Sequence, residues 1–190
     1  MKNNGHFRRT FNLMLYPERE WKLIAAEHTV RKAVYVRFVV PWLCLITVAS
    51  IIGTWLTISR EQYSTAYVLR IIVLLWTSLS AGLYLSSFVI AEIMAQRVET
   101  KNHNLSFALM AYSSGAAYLV ITVVALFPFF SELLVLMFYT FYLYWRGIPH
   151  LIQIEGQKQM IYGLFSFIVV LLIYFLMFFF FGNVLKAMII

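Results

Sequence analysis

The sequence predicts an all-α membrane protein, a five-span transmembrane helical bundle preceded by a short amphipathic helix, and three observations predict it. Apolar residues fill 62% of the 190 positions and charged residues only 12%. Soluble domains run at about 45–50% and about 25%. Several apolar runs exceed the roughly 20 residues that cross a hydrocarbon core about 30 Å thick. The 15 basic and 8 acidic residues, with no Asp among them, crowd into some of the segments between those runs and avoid others. This pattern excludes a soluble enzyme, a disordered chain and a disulfide scaffold. It also excludes a transmembrane barrel, whose strands alternate apolar and polar residues over about ten positions.

The chain divides at about residue 33. Residues 1–33 read as a cytoplasmic segment and residues 34–190 as the transmembrane domain. The mostly polar or amphipathic start lacks the basic-then-apolar pattern of a cleavable signal, so the first span is expected to be an uncleaved anchor. Within the segment, Pro17 suits the first turn of a helix, where its missing N–H costs nothing. Glu18 and Glu20 follow, favourably placed at the positive end of the helix dipole. At 100° per residue Trp21, Ile24, Ala25 and His28 share one face, and Arg19, Lys22 and Ala26 another. A short helix lying in the inner interface plane is predicted, with Trp21 at headgroup depth.

The spans follow in order at about 34–58, 66–94, 105–127, 132–145 and 160–185, the fourth continuing through 146–152. Pro128-Phe-Phe-Ser131 reads as a tight hairpin turn, because Pro128 has no donor and ends the third helix. Orientation follows from the basic residues. Eight precede or open the first span (Lys2, Arg8, Arg9, Arg19, Lys22, Arg31, Lys32 and Arg37), and Arg97, Lys101, Arg146 and Lys158 lie in the loops on the same side. Only Arg60, Arg70 and Lys186 fall on the other. The N-terminus is therefore expected in the cytoplasm and the C-terminus outside. The basic inner face suits anionic lipid, at about 1 kcal/mol per residue near the surface. Nothing in it resembles a nucleic-acid site, which needs a folded basic domain with interleaved exposed aromatics.

Small residues recur every fourth position: Ala49 and Gly53 in the first span, Ser78, Gly82 and Ser86 in the second, Ala111 and Gly115 in the third. They place small side chains on one helix face and let backbones approach closely. The first three spans are expected to form the tight part of the bundle, and the bulky 174–181 stretch of the fifth to face lipid. Self-association through such faces is possible. Cys44, alone in an apolar run, reads as a small buried hydrophobe.

Ionisable residues inside a membrane point to function, and here they keep to the ends. Arg70 lies one turn into the second span and Glu92 near its inner end, while Glu132 opens the fourth. None is central, against a proton-coupled transporter. The fourth span ends with Tyr139, Tyr142 and Arg146 on one face. Arg146 is expected to close the inner end of the bundle by meeting a lipid phosphate or a carboxylate such as Glu92 or Glu155, its planar fork suiting a bidentate oxyanion. Tyr139 and Tyr142 are expected to hydrogen-bond above it, with Gly147 and Pro149 breaking the helix. His6, His28, His103 and His150 lack metal-ligand spacing, and no cofactor motif is present. A nucleophile elbow, a zinc-protease helix and a phosphate loop are all missing, so no catalytic residue is assigned. Asn104-Leu-Ser106 matches a glycosylation acceptor but falls on the inner side.

The run Leu15-Tyr-Pro17-Glu-Arg-Glu-Trp21-Lys-Leu-Ile24-Ala-Ala-Glu27 resembles the Pro-x-x-x-Trp-x-x-Ile-Ala-x-Glu opening of bacterial Yip-domain (Ypt/Rab-interacting protein) membrane proteins. Val40-Pro41 and Ile52-Gly53 in the first span, Ala111-Tyr-Ser-Ser114 in the third, and Tyr139 to Pro149 closing the fourth also look like that family. The resemblance covers about residues 11–185. It implies a five-span fold in a bacterial inner membrane; eukaryotic relatives bind prenylated Rab GTPases and shape organelle membranes. The expected function is a non-enzymatic scaffold or adaptor with a membrane-protein partner. The alternative is a small transporter, channel or lipid-translocating protein whose polar path would be lined by Ser78, Ser86, Ser113, Ser114, Tyr112, Tyr139 and Tyr142.

Overall fold

The structure is a computed structural model that describes residues 6–27, 30–57, 65–95, 102–152, 154 and 156–187. These are helical almost throughout, with no strand among them. Two short helices come first, α1 (His6–Leu15) and α2 (Pro17–Ala26), hinged at Tyr16. Pro17 opens α2 as its sequence requires, with Glu18 and Glu20 in the first turn.

Four helices are long and apolar enough to cross a membrane: Arg31–Thr57, Thr65–Ile93, His103–Leu126 and Gln159–Val184. The first joins α3 (Arg31–Val34) to α4 (Val40–Thr57) through a π turn at Tyr35–Val39. Pro41 accounts for that turn. It cannot donate to Arg37 and its ring crowds that carbonyl; the turn before it widens, and the Val40 N–H bonds back to Tyr35. The second long helix lies within α5 (Thr65–Ala95). Asn102 caps the third, its side-chain oxygen accepting from the N–H groups of Asn104 at 3.0 Å and Leu105 at 3.2 Å. Asn104 in turn accepts from the Arg31 N–H at 3.3 Å, which joins the N-terminal ends of two long helices at the glycosylation-like triplet.

The third helix is α6 (His103–Ser113) and α7 (Gly115–Leu126), bent at Ser114. There Ser113 and Ser114 turn their hydroxyls back to the carbonyls of Leu109 and Met110, a bond that bends helices. As expected, Pro128 follows its end. The next segment is a 3-10 helix at Pro128–Phe138, kinked at Phe130, which leads into α8 (Tyr139–Leu151). The last helix is α9 (Gln157–Ala187).

Small residues do bring helices together, with one change of partner. A Cβ on Gly53 would lie inside the van der Waals shell of the Ala125 carbonyl, so α4 and α7 touch backbone to backbone. Gly82, however, receives the Tyr174 ring, 2.6 Å from where its Cβ would stand. The second long helix therefore packs most extensively on the fifth segment, α9, and not only on the first and third. Phe167, Val170 and Ile173 of α9 are buried on that side, while Phe175 and Phe179 point outward. Indole and hydroxyl bonds tie the helices further: Trp76 Nε1 donates to Thr47 at 2.9 Å, and the Tyr144 and Ser166 hydroxyls meet at 2.6 Å. Cys44 is exposed, contrary to the buried site expected of it; on a helix surface turned to lipid an apolar thiol loses nothing by facing out.

Helix α8 runs through Gly147 and Pro149, where a break was expected. Proline leaves the carbonyl four residues earlier without its helical donor. That carbonyl, Trp145, accepts from Gln159 Nε2 of α9 at 2.9 Å. Gln159→Leu should cost about 1–3 kcal/mol by leaving the carbonyl unsatisfied. In a Pro149→Ala background the same change should cost much less, since alanine at that position supplies the missing N–H. Thermal unfolding of the four proteins in mild detergent checks this; equal costs in both backgrounds would remove the assigned role of Gln159.

Candidate functional site

Two places gather polar chemistry: the end of the bundle where the α1–α2 hairpin docks, and a cavity halfway along the long helices. The hairpin does not lie across the bundle end. Thr10 of α1 packs 3.1 Å from the Cβ position of Gly115, midway along the third long helix, and accepts from Trp42 Nε1 at 3.2 Å. Phe7 meets the Trp42 ring edge to face. The hairpin is thus wedged against the first and third long helices.

Trp21 faces protein rather than headgroups: it is 0% exposed. Its ring lies 2.8 Å from where a Cβ on Gly147 would stand, and Leu109 closes the same space. Gly147 therefore serves close approach and not a turn. His28, assigned to the Trp21 face, lies outside the described residues.

Near the tryptophan sits an ion cluster that is buried at Glu20, half-buried at Arg9 and exposed at Glu27. Arg9 donates from Nε to Glu20 at 3.3 Å, from Nη1 to Glu27 at 2.8 Å and to the Tyr112 hydroxyl at 3.2 Å, with a second bond from Nη2 to Glu27. Burial alone would lower the Arg9 pKa, but the Glu27 carboxylate and the Tyr112 contact outweigh it and push it above its ordinary value. Arg9 stays charged at every pH at which the protein is folded. The sequence did not single out this cluster. The available signal was Glu20 and Glu27, seven residues apart and so on one face of α2.

Arg146 does meet a carboxylate, and that carboxylate is Glu18: Nη2 to Oε1 is 2.7 Å, while His150 Nε2 takes the other oxygen at 2.9 Å. This is a single ion pair, not a fork. Glu155 lies outside the described residues, and Glu92 is half-buried near the C-terminal end of α5. Tyr142 offers Arg146 the face of its ring at 5.9 Å, and Tyr139 donates its hydroxyl to the Met14 carbonyl at 2.8 Å, bonding α8 to the hairpin. Pro149 lies one turn beyond Trp145, as described above.

The cavity, 300 Å³, is enclosed by α5, the bent third helix, the Pro128–Leu151 segment and α9. Its lining is almost wholly apolar. Of the residues expected to line a polar path, only Ser113 and Ser114 reach it, and both hydroxyls are bonded to their own helix. No group of three or more His, Cys, Asp or Glu is placed to hold a metal ion among the described residues. No family model, curated protein or solved structure matches this chain.

Magnitudes separate the two anchors of the hairpin. The Arg146 and Glu18 side chains are 43% and 48% exposed, and such pairs are worth about 0.2–1 kcal/mol. Removing a fully buried Trp costs about 3–5 kcal/mol. Trp21→Ala should therefore lower the melting temperature in mild detergent by several degrees, and Arg146→Lys should leave it nearly unchanged, with or without anionic lipid. A larger loss from Arg146→Lys than from Trp21→Ala would reverse this ranking.

Proposed function

We propose that this integral membrane protein is a non-enzymatic scaffold or adaptor of the Yip-like class in a bacterial inner membrane. The carrying observation is the fixed hairpin. It is held by Trp21, the Arg9 cluster and Tyr139, yet its outer side leaves Phe7, Phe11 and Leu15, one turn apart on α1, 41%, 50% and 69% exposed. Arg8, Arg19 and Lys22 are exposed on the same hairpin. A preformed apolar row beside basic residues suits the inner leaflet surface and a membrane-protein partner bound there. In this reading α1, and not the Trp21 face of α2, is the interfacial helix.

The Pro128–Leu151 segment supplies the fifth crossing. Its 3-10 and α-helical parts together rise about 40 Å, and Phe129, Val135 and Phe138 present apolar surface outward. Five crossings agree with a cytoplasmic N-terminus and an external C-terminus, as the basic residues require. The second reading, lipid translocation, draws support from the cavity, whose apolar lining offers ions no path.

Affinity capture in mild detergent tests the scaffold. Wild type should retain a membrane-protein partner or a second copy reproducibly, and a Phe11→Ser/Leu15→Ser variant, which spares the Phe7–Trp42 contact, should lose it while melting normally. Recovery of lipid alone by both proteins would count against an adaptor. Orientation is checked in a Cys44→Ser background. Cysteines at Gln62 and Ile190 should react with an impermeant reagent in intact spheroplasts, and one at Asn102 only after lysis.

A further inference from the structure

Three of the five buried hydroxyls without a partner among the described residues lie at the cavity; the other two, on Ser78 and Ser86, lie outside it. Tyr118 is 1% exposed, and its hydroxyl, that of Tyr174 and that of Thr140 are buried without a hydrogen-bond partner among the described residues. All three residues line the cavity. The two phenols stand beside Ser114, which gives its own hydrogen to the Met110 carbonyl at 2.8 Å and makes no hydrogen bond to either of them. We propose that the cavity binds a membrane-borne lipophile that places a carbonyl oxygen against these hydroxyls.

Four properties define the ligand. Size comes first: an apolar cavity of about 150 Å³ holds benzene, so this one takes a ring system or chain segment of about a dozen carbon atoms. Apart from Ser113 and Ser114, whose hydroxyls are bonded to their own helix, the rest of the lining is apolar, so the body of the ligand is apolar. Hydroxyl hydrogens without acceptors call for an oxygen acceptor, and no lining residue is basic, so that oxygen is a neutral carbonyl and not a carboxylate. Entry is sideways from the bilayer, because Leu134 and Phe138 on one wall and Leu171 and Phe178 on the other are exposed on the outer surface. The proposal rests on the chain being membrane-embedded and not on a protein partner.

The test uses benzophenone, a photoreactive diaryl ketone of suitable size, with the full-length protein in nanodiscs. A saturable photo-adduct should form on peptides carrying Met110 or Met137. Diphenylmethane, the same two rings without the oxygen, should displace it about tenfold less well than unlabelled ketone does, the worth of one hydrogen bond in an apolar site. In Tyr118→Phe/Tyr174→Phe, which keeps shape and lining, the adduct should persist and the preference for the ketone should shrink toward none. Ala117→Phe, which fills the cavity, should abolish the adduct. Displacement by methyl laurate assigns an acyl-ester source; resistance to it assigns a ring carbonyl. Incorporation into nanodiscs tests the membrane reading separately. An incorporated protein whose adducts never saturate, or fall on Phe175 and Phe179 at the lipid surface, overturns the site, as does equal displacement by diphenylmethane.

Discussion

Trp21 occupies space that exists only because residue 147 has no side chain beyond hydrogen. A Cβ there would stand 2.8 Å from the indole and closer still to Leu109. With that space filled, α2 lies along α8 at a fixed height and the rest of that end of the bundle follows. Glu18 comes level with Arg146 and His150. The turn at Tyr16 carries Met14 to Tyr139 and Thr10 to Trp42. Arg9 is brought between Glu20 and Glu27, where its charge is matched. The ion pairs specify this arrangement more than they stabilise it: a buried pair roughly offsets its own desolvation, whereas the buried indole contributes several kcal/mol outright.

Depth makes that distinction sharper. An Arg drawn toward the middle of a bundle is tolerated only if its donors are satisfied. Arg9 meets the condition with two carboxylates and a phenol, all held by protein. Arg146, at the rim, keeps nearly half its surface accessible and needs less. The hairpin thus carries its own counter-ions into the bundle, and a basic segment that looked merely lipid-seeking is partly committed to structure.

The long helices were legible because apolar runs dictate them. The expected spans at 34–58, 66–94, 105–127 and 160–185 fall on helices Arg31–Thr57, Thr65–Ile93, His103–Leu126 and Gln159–Val184 within a few residues. What failed was partner choice. Spacing puts Ser78, Gly82 and Ser86 on one face but says nothing about which helix uses it, and the Tyr174 ring does. Gly147 and Pro149 looked like breakers because both weaken helices in isolation. Their helix survives because distant side chains, Trp21 and Gln159, use the gap and the freed carbonyl. Arg146 was given a lipid phosphate or a carboxylate such as Glu92 or Glu155; it pairs with Glu18, from a segment whose position depends on a tertiary contact that no local pattern encodes.

Hydroxyl placement mostly follows one rule, from which Ser78, Ser86 and the hydroxyls at the cavity depart. Thr47, Thr57, Ser113, Ser114 and Thr122 each return a hydrogen bond to the carbonyl four residues earlier, the usual way for an apolar helix to carry a hydroxyl without cost to its neighbours. Tyr phenols cannot reach their own backbone and must find a partner elsewhere. Tyr35 finds Ser80, Tyr139 finds Met14 and Tyr144 finds Ser166. Among the described residues Tyr118 and Tyr174 do not, and both border a place where the packing also fails. A phenylalanine at either position would fill the same volume without an unsatisfied donor, which costs about 1–3 kcal/mol when buried. Two phenols at the edge of an apolar cavity are therefore poor choices for stability alone, and they become good ones only when an acceptor occupies the space between them.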